Sequence, residues 1–191
     1  MAMCQALLCD KRFHQLLLQF DEDLAASTRA AGCPRCGGVL HSACYRRKPR
    51  GAPRGLEPQY SQRASFCCAV DGCRKRSTPR SLRFLGRKVY LAAMVVLISA
   101  MCCGLTPKRV SRLAQAVSVP RRTLERWRYW WLQVFTRSSF WKAAAARFMP
   151  SVNSEALPAS LLERFSAVDA QDRLLALLRF LSPVSTMSDG A

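Results

Sequence analysis

Four cysteines set the first question. Cys33 and Cys36 stand in "CPRCGG" with two residues between them, the spacing that lets two thiolates bind one tetrahedral Zn²⁺ ion from a single tight turn. The glycine pair behind them permits the positive φ angles that such a turn requires. A second pair follows in "FCCAVDGC", where Cys68 and Cys73 have four residues between them. Phe66 and Cys68 share one face of an expected short strand, so Cys68 is preferred to Cys67, which points the other way. His41 and Cys44 are the alternative ligands. Four thiolates leave no open coordination position, so the expected zinc is structural and not catalytic.

Basic residues carry the second chemistry. The chain has 191 residues, a net charge of +18 and a pI of about 10.3. From 28 to 147 there are 25 Lys and Arg against three acids, Glu57, Asp71 and Glu125. The two ends are mildly acidic. A one-signed centre of this kind points to a polyanionic partner. Within it, residues 108–135 have the plan of a helix-turn-helix. Val110, Leu113 and Ala114 face inward on a first helix that opens at Thr106-Pro107. Pro120 opens a second, with Leu124, Trp127 and Trp131 on its apolar face. Arg121, Arg122, Thr123 and Arg126 then meet bases or phosphates at the start of a recognition helix. Arg109 and Arg112 on the first helix, with Arg83, Arg87 and Lys88 upstream, add phosphate contacts. Trp130 is expected to be exposed.

The elements that position these residues divide the chain into four. Residues 1–29 hold an amphipathic helix (5–26) and a linker. Residues 30–86 form a zinc ribbon with a basic, mobile loop at 46–59. The region is too poor in apolar residues for a core of its own and needs the metal as a staple. Residues 87–149 form the helix-turn-helix domain. Residues 150–191 are a helical extension and a frayed tail. The expected fold class is mainly α with a small β zinc ribbon. The uncharged run Val89–Leu105 spans 17 residues, the lower edge for a membrane span, and is read as a buried helix. No secretory signal is read at the N-terminus. Ten cysteines without one suggest the reducing cytoplasm, with nucleoid association.

"CPRCGG…FCCAVDGCRKRSTP" followed by "TLERWRYWW" resembles the N-terminal DNA-binding portion of insertion-sequence transposases, over roughly residues 30–140. The resemblance implies a zinc ribbon ahead of a helix-turn-helix, duplex DNA as partner, and a link to transposition. Such transposases also carry an RNase H-like domain with three catalytic acids. The stretch after Arg147 offers only Glu155, Glu163, Asp169, Asp172 and Asp189 in about 44 residues of helical pattern. No nucleophile elbow, P-loop or HExxH is present. The expectation is a non-enzymatic accessory or regulatory protein of a mobile element, partnered by a transposase or by itself as a homodimer. RNA binding and an adaptor role in transcription are the alternatives.

Overall fold

Asp10 divides what the sequence reads as one N-terminal helix. In the computed structural model, which describes residues 2–86 and 90–187, α1 (Ala2–Cys9) ends there and α2 (Lys11–Ala30) begins. The Asp10 carboxylate accepts from the Arg12 amide at 2.8 Å, which caps α2. The expected linker is helical. Ser27 and Thr28 donate their hydroxyls to the carbonyls of Asp23 and Leu24, so they remain in the helix instead of breaking it. α2 stops at Gly32, whose φ is +74°. A Cβ there would sit 2.9 Å from the Gly37 carbonyl oxygen.

Short antiparallel strands follow. β1 (Leu40–Ser42), β4 (Phe66–Cys68) and β5 (Arg76–Ser77) form one sheet in the order β1-β4-β5. Leu40 pairs with Cys68, His41 with Cys67, and Ser42 with Phe66. β2 (Tyr45–Arg46) and β3 (Gln62–Arg63) pair separately. Strand alternation buries Phe66 and Cys68 and turns Cys67 outward. Cys33, Leu40, Phe66 and Cys68 make a small core, with Ala25 of α2 packed against it. The loop at 46–59 is anchored at several points. The Leu91 amide donates to the Arg50 carbonyl at 3.1 Å, and a 3₁₀ turn at Pro58–Ser61 buries Tyr60.

The helical part comprises α3 (Ala92–Cys102), α4 (Pro107–Ala116), α5 (Arg121–Tyr129), α6 (Ser139–Ala144), α7 (Ala159–Leu162) and α8 (Ala170–Leu181). α3 is apolar along its length, and Leu91 to Ile98 are all buried. Among the described residues no helix is long and apolar enough to cross a membrane. A π-helix at Trp130–Phe135 continues α5 and buries Trp130, Trp131 and Phe135. Trp130 is therefore a core residue, against expectation. Its ring meets Trp131 edge to face at 4.7 Å, and Phe135 packs on Trp141 of α6 at 5.1 Å. Ser138 caps α6, its hydroxyl accepting from the Trp141 amide. Within the expected tail, a 3₁₀ turn at Ser182–Thr186 buries Val184, and residues 188–191 lie outside the described residues.

The molecule is thus mainly helical, 54% helix and 9% strand, with small antiparallel sheets. It divides into two compact units. One comprises residues 2–92 and 178–191 and the other 93–177, so the segments 1–29 and 30–86 share a unit.

Candidate metal centre and basic surface

Two chain turns bring the four cysteines together. The first is closed by the Gly37 amide donating to the Cys33 carbonyl at 2.8 Å and the Cys33 amide donating to the Gly38 carbonyl at 2.9 Å. Gly37 has φ +71°. Gly38 is needed for a different reason. A Cβ there would lie 2.4 Å from Val70 Cγ2 and within 3.4 Å of the Cys36 and Cys68 sulfurs. The second turn is closed by the Cys73 amide donating to the Val70 carbonyl at 3.1 Å. It passes through Gly72 at φ +81° and Arg74 at φ +43°.

The Sγ atoms of Cys33, Cys36, Cys68 and Cys73 all lie within 4.8 Å of one another. Cys33 and Cys73 are 3.7 Å apart, Cys36 and Cys68 3.4 Å. These separations far exceed a disulfide bond, about 2.05 Å, and are short enough for four donors to share one ion. Without a cation Cys33 and Cys68 differ in how readily they ionise. Amide hydrogens of Arg35 and Cys36 draw the Cys33 thiol down to about 7. Cys68 is favoured by the Val70 amide, yet burial and the three neighbouring thiols push it up to about 12. A bound cation removes that difference.

His41 and Cys44 stand outside the cluster. His41 is exposed on β1, across from Cys67. Cys44 is also exposed, its sulfur 4.0 Å from the Ser65 carbonyl oxygen. Cys67 directs its sulfur at the Arg74 carbonyl, 3.6 Å away, on the face opposite the four.

The cationic residues sort into two sets. Arg109, Arg112, Arg121, Arg122 and Arg126 are exposed. Arg121 pairs with Glu125 at 2.9 Å, and Arg126 donates to the Thr123 hydroxyl at 3.1 Å. Thr123 is itself buried, its hydroxyl accepting from Arg126. Arg83 overturns its expected role. It is 3% exposed, and its Nε donates to the Asp21 carboxylate at 2.8 Å. Its other nitrogens donate to the carbonyls of Tyr60 and Gln62. Arg87 and Lys88 lie outside the described residues.

Asp21 is a residue that sequence reasoning missed. It also accepts from the Ser81 hydroxyl and the Leu82 amide. A signal was present: Asp21 falls on the step that continues Phe13 and Leu17 along the buried stripe of α2. His14 lies beside that stripe, bonded to the Tyr60 hydroxyl at 2.6 Å and the Leu8 carbonyl at 3.0 Å. Arg63 is a further buried cation, donating to the Pro79 and Arg80 carbonyls.

No family model, curated protein or solved structure matches the chain.

Proposed function

We propose that the protein binds duplex DNA through α4 and α5 and holds a structural zinc ion on Cys33, Cys36, Cys68 and Cys73. The observation that carries the first part is the exposed face of α5. It bears Arg121, Arg122, Arg126 and Arg128 against one acid, Glu125, which is tied to Arg121. A solvated helix normally mixes its signs along the i,i+4 rows. The join between α4 and α5 suits a helix-turn-helix. It spans residues 117–120, with Ser118 at φ +52° and Val119 buried as its anchor.

Zinc is supported by donor chemistry and spacing. Thiolates are soft ligands, and a tetrahedral ion with metal–sulfur bonds of about 2.3 Å sets its sulfurs about 3.8 Å apart. The closest sulfur pairs stand at 3.4 and 3.7 Å. A fully thiolate-bound ion would hold the two turns together and perform no reaction. The same reading makes the protein a cytoplasmic, nucleoid-associated accessory factor of a mobile element, with a transposase or a second copy as partner. That part rests on the resemblance in the cysteine and "TLERW" motifs.

The test is fluorescence anisotropy of the metal-loaded chain with random duplex DNA, single-stranded DNA and RNA across a salt series. With Arg109, Arg112, Arg122 and Arg126 each on a phosphate, log K falls against log salt with a slope of about −3.6. Affinity then drops about 150-fold between 50 and 200 mM salt. Arg122→Ala and Arg126→Ala each flatten the slope by about 0.9. Unchanged duplex binding in both variants, or tighter binding of RNA or single strands, defeats the proposal.

A further inference from the structure

A groove between the end of α3 and one face of α4 has a composition that DNA binding does not explain. It measures about 610 Å³ and is lined by Met101, Leu105, Arg109, Arg112, Leu113 and Ala116. The volume lies in the range of small-molecule sites, roughly 300–1,000 Å³. The four α4 residues fall at i, i+3, i+4 and i+7, which places them on one helical face. The floor is aliphatic and thioether, and a methionine adapts readily to differing tail shapes. The two guanidiniums are the only side chains in the lining that hydrogen-bond. Both are exposed, and neither forms an ion pair among the described residues.

We propose that this groove binds an amphiphilic anion, with an aliphatic tail over Met101, Leu105, Leu113 and Ala116 and one headgroup held by Arg109 and Arg112. The lining dictates that division of chemistry. A tail with polar groups along it would find no partners on the floor and would lose hydrogen bonds to water. A neutral headgroup would forgo the charge-assisted bonds that two guanidiniums one turn apart offer to a carboxylate or phosphate. Arg109 and Arg112 also belong to the set assigned to phosphates. A bound amphiphile therefore competes with duplex DNA, a consequence that rests on the DNA-binding reading.

Calorimetry with the metal-loaded full chain tests the site directly. Laurate, kept below its micellar concentration, binds saturably with one molecule per chain. Dodecyl phosphate binds comparably if the headgroup need only be anionic, and either anion supports the site. Dodecanol binds at least tenfold more weakly. The double variant Arg109→Ala with Arg112→Ala weakens laurate at least tenfold. Ala116 is exposed, so Ala116→Trp fills the groove without entering the core and abolishes uptake. Absence of saturable uptake overturns the proposal. So does dodecanol binding as tightly as laurate, or laurate binding that both variants leave intact. An acidic amphipathic peptide that saturates the groove where laurate does not overturns it as well. Displacement of duplex DNA by laurate is measured separately. If duplex binding fails while laurate still binds, the DNA reading falls and the groove stands.

Discussion

Removing the Asp21 carboxylate is the sharpest structural perturbation available. Asp21 is 4% exposed and accepts three hydrogen bonds, from the Ser81 hydroxyl, the Leu82 amide and Arg83 Nε. In Asp21→Ala the Arg83 guanidinium keeps the Tyr60 and Gln62 carbonyls but loses its counter-charge while 3% exposed. Breaking one side of a buried pair costs about 3–5 kcal/mol. The retained carbonyl bonds place this case at about 3 kcal/mol, a large part of a typical total of roughly 5–15 kcal/mol. Asp21→Asn keeps an acceptor oxygen and costs less. Arg83→Met combined with Asp21→Ala removes both charges and recovers part of the loss, with a coupling of about 2 kcal/mol in the cycle. The probe matters. All four tryptophans, Trp127, Trp130, Trp131 and Trp141, lie in the unit 93–177, so indole emission reports the wrong unit. Urea melts followed by hydrogen exchange of the α2 amides report the right one. Single variants that each cost under about 1 kcal/mol, with no coupling between them, would refute the claim that this pair fixes α2 to the 79–84 segment.

Two further outcomes follow from the same unit. Cys68→Ser loses the bound metal and loosens residues 30–86 to proteolysis, whereas Cys67→Ser retains one metal per chain by elemental analysis. Equal loss in both would mean that the sulfur facing Arg74 is also a ligand. Burial lowers the affinity of His14 for protons, against weaker raising effects from the Leu8 carbonyl and Asp10. The unfolded chain then binds more protons than the folded one as pH falls through about 6.5, so stability declines in that direction by up to about 1.4 kcal/mol per pH unit. Urea midpoints from pH 8 to 5 should show the decline, and His14→Gln should flatten it.

The cysteine cluster was legible because metal chemistry imposes spacing on the sequence itself. Strand alternation then separated Cys68 from Cys67, and β4 shows that alternation. Arg83 was not legible. Its neighbours Arg80, Arg87 and Lys88 suggest a basic surface, and its partner Asp21 lies 62 residues away. Trp130 was legible from the period. Trp130 stands three residues after buried Trp127, on the same side of the helix, and packs against Trp131 and Phe135. The start of α2 at Asp10 had a usable signal, an N-cap residue ahead of an apolar stripe, which the continuous 5–26 reading passed over.

Net charge, finally, is not surface charge. Arg63 and Arg83 are buried, and between them they satisfy the carbonyls of Tyr60, Gln62, Pro79 and Arg80. Strands of two or three residues cannot pair all the backbone oxygens of the loops between them, and a buried unpaired carbonyl is costly. A guanidinium offers five donors in a fixed plane, so one side chain can bridge Asp21 and two carbonyls at once. Lysine, with three donors at one point, cannot span those positions. The arginine-rich composition of residues 30–86 therefore serves the scaffold as well as any polyanion. The case for DNA rests instead on α4 and α5, where the cations are exposed and the acids nearly absent.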